Sequence, residues 1–582
     1  MEERTTDKLQ IVLQSEFTYC PVITKKEFFF PFLIGIIICV LGTLPYLYGY
    51  AIAGDDRVFM GMVGRGTLGS NGYLMFQRQA WEGKWLLENK CTPESTSSFC
   101  NVEWWLLGRT ARLLNMSILS FFHVDRCLSV FLFLFAVYYL LAINLDNLEQ
   151  RRFSLLLITI GSGFGWLIWC LNRYTHLSLP LSWDIDGIQV FSYLVCKPHF
   201  IRSFALAILM YAFLIRGFQS GKAKYFILSG LMALSHSLMR PFLIPESYIM
   251  FLLTPILFCW TQKQWEIKWF LFCAIPSIIH FPAILYYLWM SISDPLKMSG
   301  WSQNHQFLGK SGFLIEYVAG VGWTWLICMI FFIYLAKKCQ QRISHLILFT
   351  WVMVAWGICN LYPYWKPGQE SGLYAFLIVP PILTIVGPYQ WITDYLKVVQ
   401  DGRNLANRVI TPIFFAKTRL AFFVILLSIP TTVFVYYFMF HDLKYGHPLW
   451  TYYLQKDSYA VLEYLQRSAK ENDVVLASPR TSQFIYAHTP CKTVTGHFML
   501  TKDYVKKTED VNRFYYEKNN VDIQKQILAK YKVTYVFFGS YEQEMSGLSP
   551  PEVLKDSPTV FERGNTKLYD VSEVISKNKD EL

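Results

Sequence analysis

The chain has 582 residues, 53% of them hydrophobic and only 16% charged, which is too apolar for an ordinary soluble protein of this size. Aromatic residues make up 17%, and Trp and Tyr gather at membrane–water interfaces, where an apolar ring with a polar edge is well placed. The net charge of +11 does not point to nucleic acid, because no basic stripe interleaves with aromatics as in single-strand binders.

A span needs about 20 mostly apolar residues. Runs of that kind begin near Glu27, Cys127, Phe153, Phe200, Tyr225, Phe242, Trp269, Phe313, Ile343, Leu373 and Leu420. They predict a polytopic α-helical membrane protein of about 11 spans over residues 27–440, after a cytoplasmic N-terminus of residues 1–26. The first run is too long, and its flank too acidic, for a signal peptide; it reads as a retained span.

Orientation follows from Lys and Arg in the short loops. With the N-terminus inside, the inward loops hold about 15 basic residues, among them Arg151, Arg152, Arg216, Lys337, Lys338 and Arg342. The short outward loops hold about six: Arg173, Lys197, Arg240, Lys297, Lys310 and Lys366. This topology puts the loop of residues 54–126, and everything after Phe440, on the outer side.

The first outward loop opens on Gly54-Asp55-Asp56-Arg57. Residues 73–87 and 102–114 have the pattern of amphipathic helices, which tend to lie in the interface plane. Between them runs CTPESTSSFC, where a Cys91–Cys100 disulfide would close a small loop on an oxidising side of the membrane. Most of the other cysteines lie in apolar runs and suit packing, and no Cys/His spacing suggests zinc. Residues 455–582 predict a second, extracytoplasmic α/β domain. A helix over 457–468 precedes the strand run 474–477, helices cover 501–531, and strands follow at 533–538 and 566–569. No phosphate-binding glycine motif and no internal repeat is present. The chain ends Lys579-Asp580-Glu581-Leu582, a retention address in eukaryotic secretory lumens and otherwise a chance hydrophilic ending.

Ionisable residues at span boundaries are the candidates for chemistry. Asp55 and Asp56 form an acidic pair on a turn after a span, suited to a general base or to holding a divalent cation; a solvated helix end is the plainer reading. His236, Arg240 and Glu246 cluster in SHSLMRPFLIPES, His199 and Arg202 open another span, and Lys366 lies in NLYPYWKPGQE. Lys and Arg at that depth suit the phosphate of a lipid carrier or ordinary phospholipid headgroups. In the C-terminal domain Ser478, Arg480, Gly496 and His497 fall at strand ends, where α/β sheets bind ligands.

These stretches, in their order, carry a resemblance. They are GDDRVFMGMV at 54–63, QRQAWEGKWLLENKCTPE at 77–94, LLGRTARLL at 106–114, FHVDR at 122–126, GSGFGWL at 161–167, KPHF at 197–200 and SHSLMRPF at 235–242. In the C-terminal domain they are VVLASP at 474–479, TGHFMLT at 495–501 and YVFFGSYE at 535–542. The chain resembles membrane glycosyltransferases of the GT-C superfamily, and most closely a glycosyltransferase-like bacterial group. The resemblance implies a polyprenyl-phosphate-linked sugar as donor and a glycan, lipid or protein as acceptor on the outer membrane face. It implies inversion at the sugar, with Asp55 or Asp56 as base. Arg240, Lys366, Arg202 and Arg57 would hold the donor phosphate, and His199, His236, Glu246 and His497 would line the substrate pocket. The expected setting is a bacterial inner membrane with the C-terminal domain in the periplasm, or an endoplasmic reticulum membrane with a lumenal tail if the chain is eukaryotic. The competing expectations are a non-catalytic assembly or binding protein and a lipid-linked-sugar transporter; a transporter would show inverted repeats and charges at mid-membrane.

Overall fold

The computed structural model describes residues 17–64, 67–95, 98–175, 189–292, 320–360, 368–389, 426–446 and 451–574. The chain divides into two compact units. The first comprises Met1–Thr43, Asp125–Tyr286 and Gly309–Phe438; the second comprises Leu44–Val124, Tyr287–Leu308 and Met439–Leu582.

The first unit is helical. Among the described residues of the whole chain, six helices are long and apolar enough to cross a membrane: Lys25–Ala51, Ile118–Asn144, Leu148–Tyr174, Pro198–Ser220, Pro241–Gln262 and Ile267–Met290. Two shorter apolar helices, Ile343–Cys359 and Tyr374–Tyr389, accompany them. The expected total of about 11 spans is not reached among the described residues. The runs near Phe313 and Leu420 begin outside these residues, and their described parts form the helices Trp323–Ile330 and Phe332–Cys339, and Pro430–Tyr445; the chain end at 575–582 lies outside. The run near Tyr225 gives the helix Ala223–Met239, which stops where Arg240 turns extended before Pro241.

The run expected to begin at Cys127 begins instead at Ile118, where the Ser117 hydroxyl accepts the Ser120 amide at 3.1 Å. Asp125 and Arg126 are therefore helical rather than part of a loop. Each has a partner: Asp125 pairs with Arg202, and Arg126 donates to the Thr43 hydroxyl at 2.8 Å. Arg151, counted among the inward-loop cations, is buried in an ion pair with Glu27 at 2.5 Å, and the Tyr138 hydroxyl donates to the same carboxylate. The core between these helices is large and aromatic; the Tyr211 and Trp351 rings stack at 3.9 Å.

The second unit joins the first outward loop to the C-terminal segment. In chain order its strands are β1 (Arg57–Phe59), β2 (Leu87–Glu88), β3 (Ser98–Phe99), β4 (Tyr453–Gln455), β5 (Val474–Leu476), β6 (Lys492–Thr493), β7 (Tyr535–Phe538), β8 (Thr559–Arg563) and β9 (Thr566–Asp570). β1 and β4 form an antiparallel ribbon with Arg57 opposite Gln455 and Phe59 opposite Tyr453. Five strands make a sheet in the order β6-β5-β7-β9-β8, parallel across β6, β5 and β7 and antiparallel beyond. Side chains alternate between its faces. Val474, Leu476, Val536 and Phe538 pack with Val511, Phe514 and Leu528, while Val475, Ala477 and Phe537 pack with Val461, Leu465 and Phe484. The sheet is thus covered by helices on both sides, as its alternating pattern predicts.

The amphipathic helix expected over 73–87 in the membrane interface is observed as Thr67–Glu82. It is instead packed by protein: Leu74, Met75, Phe76, Gln77, Arg78, Gln79 and Ala80 are all buried. It crosses Val102–Leu113 so closely at Gly108 that an added Cβ would lie 2.3 Å from the Gln77 carbonyl oxygen. An apolar stripe in sequence does not tell whether lipid or protein will cover it, and here protein does.

Candidate functional site

The acidic pair lies in the turn that follows Ala51. Gly54 turns the chain with φ +71°, and the Asp56 carbonyl accepts the Lys456 amide at 3.0 Å, which ties the turn to the start of the helix Lys456–Ser468. Both carboxylates are exposed and make no ion pair or side-chain hydrogen bond among the described residues. Their neighbour Arg57 holds its guanidinium 4.8 Å over the Tyr453 ring, on the β1–β4 ribbon of the second unit. The described residues contain no group of three His, Cys, Asp or Glu that could hold a metal ion, so a divalent cation at Asp55 and Asp56 would find no third carboxylate, imidazole or thiolate among them.

In the first unit, several predicted residues converge at the start of the helix Pro198–Ser220. His199 is buried, with its ring centroid 4.8 Å from that of Phe200. The Arg240 guanidinium lies 3.5 Å from the centroid of Phe200, and Lys197 sits 5.6 Å from the same centroid. Arg202 pairs with Asp125 and donates to the Ser129 hydroxyl at 3.0 Å. His236 is fully buried against the Tyr374 ring, and neither of its ring nitrogens has a hydrogen-bond partner among the described residues. Cations in the first turn of a helix oppose its dipole, and an anion there would satisfy both the dipole and the cations. The cluster can therefore hold a phosphate through charge-assisted bonds.

Other predicted residues fall elsewhere. Glu246 takes hydrogen bonds from the Tyr211 hydroxyl at 2.8 Å and the Trp351 indole at 2.6 Å; these, not the cluster's cations, are its partners. His497 belongs to the second unit, where its Nδ1 accepts the Met499 amide at 3.2 Å. Burial pushes its imidazole down to about 4, so it is neutral at physiological pH. Lys366 lies outside the described residues. No disulfide joins Cys91 to Cys100 in the structure. The Cys91 thiol is buried against the Tyr486 hydroxyl, and burial raises its pKa and keeps it inert.

Sequence reasoning missed Asp125 and Lys197 as site residues. The signal for Asp125 was present as an Asp-Arg pair inside an apolar run, but its partner is 77 residues away. Ion pairs also bind the first outward loop to the C-terminal segment. Lys492 meets Glu88 at 2.8 Å, and Lys507 meets Glu94 at 2.5 Å. Burial opposes ionisation of Glu94, but hydrogen bonds from Lys507 and Thr92 outweigh it and hold the carboxyl below the usual range.

No protein-family model matches the sequence, and no curated protein matches it. Solved structures do. The Archaeoglobus fulgidus oligosaccharyltransferase tethered to an acceptor peptide superposes with a TM-score of 0.51 at 12% identity, over 88% of this chain and 69% of that one. The same enzyme in its apo form gives 0.51 at 11%, over 90% and 72%. ArnT from Cupriavidus metallidurans, bound to undecaprenyl phosphate, covers 91% of this chain and 97% of its own at 9% identity, with a TM-score of 0.44. At such identities the likeness is one of fold. The chain is an integral membrane protein whose fold is similar to that of the Archaeoglobus fulgidus oligosaccharyltransferase.

Proposed function

We propose that this protein is a GT-C glycosyltransferase that moves a sugar from a polyprenyl-phosphate donor to an acceptor hydroxyl on the outer face of the membrane, a bacterial inner membrane with the second unit in the periplasm. The observation that carries this reading is the gathering of Arg240 and Lys197 about Phe200, beside buried His199 and near Arg202, at a helix start within the apolar unit. A lipid carrier leaves its phosphate at that depth, and cations there offset the charge that grows on it as it departs. Asp55 or Asp56 takes the proton of the acceptor hydroxyl. The acceptor oxygen attacks the anomeric carbon from the face opposite the phosphate. The carbon–oxygen bond to phosphate breaks, and polyprenyl phosphate leaves with the electron pair, so the anomeric configuration inverts. The fold shared with an oligosaccharyltransferase supports the reading, as does the exposure of both carboxylates.

Asp55→Asn, Asp56→Asn and the double variant test it in proteoliposomes supplied with a radiolabelled polyprenyl-phosphate sugar and a membrane extract as acceptor. Loss of a general base is expected to lower the rate about 100-fold or more in at least one single variant. Full transfer by the double variant would remove both candidates.

A further inference from the structure

The first unit contains a cavity of about 580 Å³ that the reaction above does not use. Tyr19, Asn144, Asp146, Gln150, Lys338 and Arg342 are among the residues that line it. The cavity draws on the segment before the first span, the link between Ile118–Asn144 and Leu148–Tyr174, and the link between Phe332–Cys339 and Ile343–Asn360. The bias of basic residues puts all three on the inward side. The helix Pro198–Ser220 carries the Lys197 cluster at its start and reaches this end of the unit at its finish. There Gln219 donates to the Tyr19 carbonyl at 3.1 Å and to the Ile143 carbonyl at 3.2 Å. The 23 residues of that helix rise about 34 Å, so the cluster and the cavity stand a hydrocarbon thickness apart, one at each leaflet.

The lining suits a phosphate ester that carries hydroxyls. The Lys338 ammonium makes no ion pair or hydrogen bond among the described residues. Arg342 is fixed in place: its Nη1 donates to the Asp146 carboxylate at 2.8 Å, and its guanidinium lies 5.1 Å over the Tyr19 ring. Its Nε and Nη2 have no partner among the described residues. Lysine offers an oxyanion a point charge and arginine offers it directed N–H groups. Asp146 is the one carboxylate in the lining, so the two cations leave a positive excess. Asn144 is buried; its Nδ2 donates to the Leu140 carbonyl at 2.7 Å, and its Oδ1 has no donor among the described residues. A buried acceptor left unpaired costs stability, and a ligand hydroxyl would supply the missing donor. Gln150 adds a second neutral group of the kind that binds hydroxyls. On the helix whose last turn holds Lys338, Phe332 and Ile333 are exposed. That apolar exposure faces lipid, which puts the ammonium at headgroup depth.

We infer that this cavity binds an anionic glycerophospholipid of the leaflet opposite the Lys197 cluster, with Lys338 and Arg342 on its phosphodiester and Asn144 and Gln150 on its headgroup hydroxyls. Phosphatidylglycerol has that chemistry, and its acyl chains would lie against Phe332 and Ile333. The binding does not depend on the glycosyltransferase reading.

The test titrates lipids onto the full-length protein in detergent and reads bound lipid by native mass spectrometry. The first phosphatidylglycerol is expected to bind at least tenfold more tightly than phosphatidylcholine. It should also bind more tightly than phosphatidylserine, which has the same net charge and no headgroup hydroxyls. Lys338→Gln and Arg342→Gln are each expected to weaken that first event at least tenfold. The Lys338 ammonium has no partner to lose among the described residues, so its variant should fold normally, which an unchanged thermal midpoint confirms. Lys224, exposed at the start of Ala223–Met239 and outside the cavity, is the control, and Lys224→Gln should leave binding unchanged. An equal loss in Lys224→Gln would mean that total charge attracts the lipid, and the cavity would fall as its site. Phosphatidylcholine binding as tightly, or Lys338→Gln binding as well as the unaltered protein, would overturn the inference outright. Phosphatidylserine binding as tightly would overturn the role of the hydroxyls. Glycerol 3-phosphate at the lipid's concentration should not displace it; displacement would make the ligand a free phosphate ester and overturn the lipid.

Discussion

Asp125 and Arg202 bring opposite charges together between two apolar helices, and both side chains are largely buried. Breaking such a pair is costly because the charge left behind has no water to turn to. Asp125→Asn is expected to destabilise the protein by about 3 kcal/mol, read as a lower thermal midpoint by intrinsic fluorescence in detergent. Adding Arg202→Gln should recover part of the loss; strictly additive effects would mean the pair does not couple. A second residue-scale effect comes from His488 and His497, both buried in the second unit and both pushed down to about 4 by burial. A base whose folded value lies below its unfolded value binds more protons when unfolded. The stability it contributes is fully present above about pH 6.5 and is lost as pH falls toward the folded value. Hydrogen exchange at the β7 amides should therefore quicken between pH 7 and pH 5 beyond the intrinsic pH trend, and His497→Gln should flatten part of that change. Residues of this kind were partly legible in sequence. Arg202, Arg240, His199 and His236 stood out because ionisable groups are rare in apolar runs. Their mutual contacts were not legible, since nothing in local pattern says that residue 125 will meet residue 202.

At the scale of elements, hydropathy and period recovered the helices and the main strands, and failed where a partner decides the outcome. The helix Ile118–Asn144 was cut short by reading Asp125-Arg126 as part of a loop, when Asp125 pairs with Arg202 and Arg126 donates to the Thr43 hydroxyl. The apolar stripe over 73–87 and the helix over 102–114 were both visible, but not that Val102–Leu113 and Pro479–His488 pack against Thr67–Glu82. Close packing makes the first of these contacts testable. At Gly108 an added Cβ would meet the Gln77 carbonyl at 2.3 Å and the Trp81 amide nitrogen at 2.9 Å, both backbone atoms that cannot swing aside. Gly108→Ala is expected to cost about 1–3 kcal/mol by forcing the two helices apart. Gly357 is the control: it lies in the helix Ile343–Asn360 with nothing within 4 Å of an added Cβ. Gly357→Ala should be neutral or stabilise by up to about 1 kcal/mol through helix propensity. A drop in thermal midpoint for Gly357→Ala equal to that for Gly108→Ala would show that the crossing is not what Gly108 protects.

For the whole molecule, the sequence separated a membrane part from a C-terminal α/β part but gave no sign that the loop after the first span folds with the latter. Sequence distance hides the connection, because the loop and its partners are about 400 residues apart. The Thr493 amide donates to the Lys90 carbonyl at 3.0 Å, and the Asn89 amide group donates to the Leu500 carbonyl at 2.8 Å. Lys90 is itself almost fully buried, paired with Glu88 at 2.6 Å, while Glu88 also holds Lys492. The loop buries charges and backbone groups that the C-terminal segment helps to satisfy, so it should not hold its structure alone. A chain ending at Gly446 is expected to keep its apolar helices and lose the loop. Trypsin should then cut at Lys84, Lys90, Arg109 and Arg112, whereas the intact protein resists cleavage at Lys90. Lys492→Met in the intact chain is a milder test: it leaves the fold in place, removes one cation from Glu88 and should open Lys90 to slow cleavage. If Lys90 stayed protected in the shortened chain, the loop would be stable by itself and the shared core would be incidental. If cleavage appears, the turn that carries Asp55 and Asp56 depends on the far end of the chain, since the Lys456 amide fixes the Asp56 carbonyl. Truncation would then abolish transfer without touching either carboxylate.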